Sequence, residues 1–307
     1  MKKNRIILGA IVASVCSFAL YLNNMKRYES ATLTISRNQN NTQTVTEKNK
    51  QGKKQETSPV LEKITKKGNS KLASQIQKAM KNSNSYDVKV LDLKNSNNSA
   101  EVYNKKDKVN VSDSLKAFLL VGLYKEIEQQ KIKAAATLTP TASEIVKGDS
   151  TFAANTVYSL TYVRQNLMSK NSNTAANLLL NKLGKEQVNN IIKEMGTRET
   201  VISNKFGESV VGTTSAEDLA ILMKSLYNGK FLGNYSNTVL TGLSTYSVKS
   251  PLVNKISNAN IIQIGDNTSA VALVTTDKHS YVIAVTSQNN NSFAELGLKI
   301  STWFNQN

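Results

Sequence analysis

Apolar and polar positions alternate in 86-YDVKVLDLK-94, a strand pattern; the short SAEVYN at 99–104 reads as a second strand, and strand signals return in 260-NIIQIG-265, 269-SAVALVTT-276 and 280-SYVIAVTSQ-288. Helical spacing governs the rest. Leu72, Ile76 and Met80 line one face of 71-KLASQIQKAMKN-82, and 292-SFAELGLKISTWF-304 reads as a closing amphipathic helix. Between the strand groups lie a helix from 113 to about 128, rich in Leu, Phe and Val, and a helical middle running to about 245. The order is helix, two strands, helices, three strands, helix. Hairpin-like links between the last three strands favour antiparallel pairing. The expected class is α+β: one antiparallel sheet built from both ends of the domain, flanked by helices, with an all-helical lobe inserted between them.

The beginning of the chain follows a different pattern. MKKNR precedes the apolar run 6-IILGAIVASVCSFALYL-22, which is just long enough to span a bilayer. Residues 1–23 are therefore read as an anchor or signal peptide, with the body outside the membrane. A small-x-small exit site is poorly formed after it, which favours an uncleaved anchor, and Cys16 has no lipobox around it. Residues 24–71 are rich in Asn, Thr, Gln and Lys and hold too few large apolar side chains to offset the entropy of ordering them. They are expected to form a basic, disordered tether, leaving 72–307 as the folded domain.

Composition narrows the chemistry. A hydrophobic content of 39% in 307 residues permits a sizeable core. Lys and Arg total 39 against 22 Asp and Glu, a net charge of +17 that attracts polyanions without choosing among them. The segment 24–71 alone carries eleven basic residues and four acidic ones, so anionic membrane or wall polymer is the expected partner of the tether. Nucleic acid is not expected, because no interleaved aromatics or reading module accompany the charge. The single cysteine excludes an intrachain disulfide and a cysteine-based zinc site, and neither metal nor cofactor is expected. The single histidine, His279, lies in the polar turn-like TTDKHSY.

Within the helical middle stands 171-NSNTAANLLLNKLG-184. From Asn173 to Leu180 it matches, residue for residue, the wording that follows the Ser-Asp-Asn motif in class A β-lactamases and penicillin-binding proteins. The flanking 143-SEIVKGDSTFAANTVYSLTYVRQNLM-168 resembles the preceding strap and helix, and 213-TTSAEDLAILMKSLYNG-229 resembles a later Thr-capped helix. Over residues 71–307 the chain thus resembles the β-lactamase-related serine hydrolase superfamily. The resemblance implies a class A β-lactamase-like fold and three constellations: Ser-x-x-Lys at a helix start, Ser-Asp-Asn, and Lys-Thr-Gly on an edge strand.

Each constellation departs from the family wording. In V-S-D-S-L-K, Asp113 takes the nucleophile's place and Lys116 is retained; an Asp and a Lys three apart on a helix should pair, keeping the lysine protonated. Ser112 is expected to cap that helix, and Ser114 to be rotated about 100° away from the family position. Asn171, Ser172 and Asn173 stand for Ser-Asp-Asn, so the relay serine is missing; reading Ser169, Lys170 and Asn171 instead requires two extra residues. Gln263, Ile264, Gly265 and Asp266 replace Lys-Thr-Gly-x, removing a cation and placing a carboxylate where an oxyanion hole would be completed. Glu199 lies in the region of the family's carboxylate base without the surrounding pattern.

The expectation is a membrane-tethered, extracytoplasmic protein with a β-lactamase-like fold and degenerate chemistry, binding a cell-envelope protein or a wall-derived ligand. The alternative is a divergent serine hydrolase using Ser112 with Lys116, four apart on one helix face.

Overall fold

The computed structural model describes residues 64–106, 108–288 and 292–307. The expected anchor and nearly all of the expected tether lie outside the described residues. One boundary moves. Strand β1 (Thr65–Gly68) falls inside the stretch read as tether and pairs antiparallel with β3 (Ala100–Tyr103), so the folded domain begins before residue 71. The segment TKKG carries no apolar alternation, and its strand geometry comes from the neighbouring edge it completes.

The main sheet has six strands in the order β1-β3-β2-β11-β10-β9, with β2 at Tyr86–Asp92, β9 at Asn260–Gly265, β10 at Ser269–Thr275 and β11 at Ser280–Ser287. Every neighbouring pair is antiparallel, and β2 against β11 joins the two ends of the domain. The central strands are apolar on both faces for a visible reason. Ala270, Ala272 and Val274 of β10 and Tyr281, Ile283 and Val285 of β11 pack in a core with α1 (Ser70–Met80) and the C-terminal helix α8 (Phe293–Gln306). Their alternates, Val271, Leu273, Val282 and Ala284, belong to a second core shared with the helical lobe. His279 lies on the α8 side, its ring 5.6 Å from that of Phe304, which removes it from any chemistry on the lobe side.

The lobe contains α2 (Leu115–Glu128), α3 (Leu160–Ser169), α4 (Asn173–Leu183), α5 (Lys185–Glu194), α6 (Ala216–Asn228) and α7 (Tyr235–Ser244). Twelve of the fourteen residues of α2 are buried, as expected of a central helix that is apolar all round. A three-stranded sheet holds its start: β4 (Val109–Val111) pairs with β8 (Gly212–Thr214), and β8 with β7 (Val201–Ile202). A Cβ at Gly212 would come within 2.0 Å of the Val201 carbonyl oxygen, so glycine is required for β8 to approach β7. The remaining described strands, β5 (Thr137–Leu138) and β6 (Tyr158–Ser159), form a small ribbon along the strap.

Candidate functional site at the start of helix α2

Three segments distant in sequence meet where β4 runs into α2. Lys116 lies in the first turn of α2 and is fully buried. Its Nζ donates to the Asn171 backbone carbonyl at 2.8 Å, to Asn171 Oδ1 at 2.5 Å and to Asp113 Oδ1 at 3.4 Å, which engages all three of its N–H groups. Asp113 Oδ2 accepts from Asn171 Nδ2 at 3.1 Å and from the Tyr246 hydroxyl at 2.8 Å. The cluster closes on itself. A donor-only ammonium and an acceptor-only carboxylate fix the orientation of the Asn171 carboxamide between them. Asn171 sits in the left-handed region at φ 50°, a conformation that asparagine tolerates, and this brings both its main-chain and side-chain oxygens onto one amine.

The pairing of Asp113 with Lys116 agrees with the sequence reading. Burial is the largest influence on Lys116 and lowers its pKa, outweighing the opposing attraction of Asp113. Tyr246 is raised, first by burial and then by the adjacent Asp113 carboxylate.

The serines fall differently from expectation as well. Helix α2 begins at Leu115 with Ser114 at the cap position, and no side-chain capping bond forms; Ser112 is not the cap. The Ser112 backbone carbonyl accepts from Leu115 N–H, which takes up one of the orphan donors in the hydroxyl's stead. Ser114 is buried, and its hydroxyl lies 2.9 Å from that of Ser269 on β10, away from Lys116. Ser172 caps α4 by accepting from Ala175 N–H at 3.0 Å, and its hydroxyl donates to Asp149. Asp149 also accepts from Thr174 N–H; burial pushes its pKa up, yet these hydrogen bonds prevail and hold it below the usual carboxylate range. Asn173, at the first position of α4, keeps its Oδ1 buried with no partner among the described residues.

On the edge strand, Gln263 does not join the cluster. Its Nε2 donates to the Val248 carbonyl at 2.8 Å and its Oε1 accepts from Ser250 N–H at 3.2 Å, tying the 248–250 segment to β9. Ile264 points into the lobe core. Gly265 has φ 120°, and a Cβ there would come within 2.1 Å of the Ser269 carbonyl oxygen, so it makes the close β9–β10 turn possible. Asp266 closes the turn: its N–H donates to the Ser269 carbonyl at 2.9 Å and its Oδ1 accepts from the N–H groups of Thr268 and Ser269. The backbone donor that an oxyanion would need is therefore committed to the hairpin.

Sequence reasoning missed Tyr246 and Asp149. Tyr246 lies 133 residues from Asp113, and Asp149 lies 23 before Ser172, so neither has a local signature. Glu199 is away from the cluster, lining a cleft with Lys106, Lys108 and Arg198. The later lobe helix α6 is capped by Ser215, accepting from Asp218 N–H, rather than by a threonine.

Comparison with known proteins agrees with this fold. The profile of the β-lactamase enzyme family matches residues 71–302, and the chain belongs to that family. Its fold is shared with PBP-A, at a TM-score of 0.69 and 21% identity over 79% of this chain and 100% of that one. The TLA-1 extended-spectrum β-lactamase superposes at 0.66 with 16% identity, covering 78% of this chain and 99% of its own. A β-lactamase from Sphaerobacter thermophilus gives 0.62 and 16%, over 76% and 95%. No curated protein matches.

Proposed function

We propose that this chain is a non-catalytic β-lactamase-like protein, tethered outside the membrane, that acts by binding at the cell envelope. One observation carries the reading. The side chain in the nucleophile's place is a carboxylate whose two oxygens are already occupied by Lys116, Asn171 and Tyr246. A carboxylate attacking an amide would form a mixed anhydride, which is uphill. Lys116 has no N–H left over, and the N–H of Asp266 serves a turn. Acyl transfer requires these groups as a unit, and losing key members of such a unit costs roughly 10⁴ to 10⁶ in rate.

The envelope setting rests on the basic run MKKNR, the largely apolar segment of seventeen residues at 6–22 and the lysine-rich 24–71. Anionic wall polymer or anionic lipid suits the tether, and an envelope protein or wall-derived ligand suits the domain. Penicillins and D-Ala-terminated peptides suit it poorly, since Gln263 supplies no cation and Asp113 and Asp266 add negative charge.

The second reading is a divergent serine hydrolase. It draws on Ser112, which is partly exposed, although all three donors of Lys116 go elsewhere. The test is turnover of a panel of β-lactams, simple esters and D-Ala-terminated peptides by the purified full-length chain. Rates at background support the binding reading; turnover that Ser112→Ala abolishes replaces it with the hydrolase.

A further inference from the structure

The residues that close the cluster are also a complete set for a different reaction. Lys116 is an amine with no exposure to solvent, and 2.5 Å from it is the carbonyl oxygen of a primary carboxamide, that of Asn171. The electrophilic carbon is one C=O bond, about 1.2 Å, beyond that oxygen. The two oxygens of one carboxylate face the two nitrogens whose protons must change: Asp113 Oδ1 faces the amine at 3.4 Å, and Oδ2 faces the Asn171 amide nitrogen at 3.1 Å. We propose that Lys116 and Asn171 become joined by an intramolecular isopeptide bond, with Asp113 as the group that moves the proton from the attacking nitrogen to the departing one.

The step balances without any co-reactant. The Lys116 ammonium gives one proton to Asp113 Oδ1, and the freed lone pair forms a bond to Asn171 Cγ while the carbonyl π pair moves onto Oδ1. The proton taken up on Oδ1 reaches Nδ2 when the Asp113 carboxyl turns about its Cβ–Cγ bond, which exchanges the places of its two oxygens. The Cγ–Nδ2 bond breaks, the carbonyl re-forms, and ammonia leaves with the remaining proton of the former amine as ammonium. An alkylammonium and a primary amide have become a secondary amide and ammonium; Asp113 ends as the carboxylate it began as, and nothing is oxidised or reduced.

Three features of the surroundings favour the reaction. Burial lowers the pKa of Lys116 and so favours the free amine that must attack. The Phe206 ring lies 5.9 Å from Nζ, and Tyr246 holds the other side of the carboxylate, which limits water that would compete at the carbonyl. The reactants are fixed by a central helix and by the left-handed turn before α4, so little reorientation entropy is lost on approach. A cross-link there would tie together positions 55 residues apart and consume the lysine permanently. It concerns the cluster alone and does not depend on what the domain binds.

Mass spectrometry of the full-length chain, purified in detergent and left to mature, reads this directly. The expected result is a chain lighter by one ammonia, and after proteolysis a branched peptide joining Lys116 to Asn171. Lys116→Arg should restore the full mass, and Asp113→Ala, which keeps both reactants, should slow linking by roughly 10²-fold or more. A wild-type chain at full mass with separate peptides would overturn the proposal. So would loss of ammonia that persists in Lys116→Arg, the mark of a succinimide at Asn171. Either failure would leave the absence of turnover, and hence the non-catalytic reading, to stand on its own test.

Discussion

Lys116 and Asp87, two of the charged side chains buried on the lobe side of this domain, are treated in opposite ways. Lys116 finds an acceptor for every N–H, two of them on Asn171. Asp87, on β2 and 2% exposed, has neither carboxylate oxygen bonded among the described residues. Its cationic neighbours are already engaged: Lys89 with Glu101 and Glu217, and Lys106 with Glu101. Burial therefore dominates and pushes the Asp87 pKa up to about 7, against the pull of Lys106 and Lys89 and with the repulsion of Glu101 and Glu217. Proximity of opposite charge does not by itself stabilise a buried ion; directed partners do.

The contrast can be sharpened by substitution. The largest effect is expected at Asp87. Its carboxyl is raised from 3.8 to about 7, so the folded state holds a proton that the unfolded chain releases, and stability falls as pH rises between those values. Asp87→Asn should gain up to about 4 kcal/mol above pH 7 in urea unfolding, with the gain fading to nothing near pH 4. A pH-independent effect would show that Asp87 finds a partner.

At the other charge the sign reverses. Lys116→Met should lose about 3 kcal/mol, because Asp113 and Asn171 lose their common donor, and the urea midpoint reads it. Tyr246→Phe removes one hydrogen bond to a partly exposed carboxylate, for a cost of about 1 kcal/mol in the same measurement. Glu217→Gln, which breaks the half-exposed pair with Lys89, should shift stability by only a few tenths of a kcal/mol in thermal melts. A larger loss there would mean that Asp87, Lys89 and Glu217 act as one network.

Much of this was legible in the chain. The apolar residues of β9, β10 and β11 between polar turns gave their limits to within a residue, and the short hairpin-like links gave their antiparallel pairing. Asp113 and Lys116 were legible as a pair from helical spacing, and Asn171 from the wording around it. Three things were not. Strand β1 has no pattern of its own, and its order comes from the edge of β3. Tyr246 and Asp149 reach the site through tertiary packing alone. The direction of the Lys116 shift depended on a burial that spacing does not report: the pair was foreseen, but the dry environment that outweighs it was not.

The reading of the cleft as inert toward acyl substrates is most directly tested by incubating the full-length chain with a fluorescent penicillin and measuring intact mass. Asp113 in place of a hydroxyl, with the Asp266 N–H bound into a hairpin, predicts no penicilloyl adduct on any residue. A stoichiometric adduct on Ser112 would contradict it and return the domain to the serine acyl-transfer enzymes.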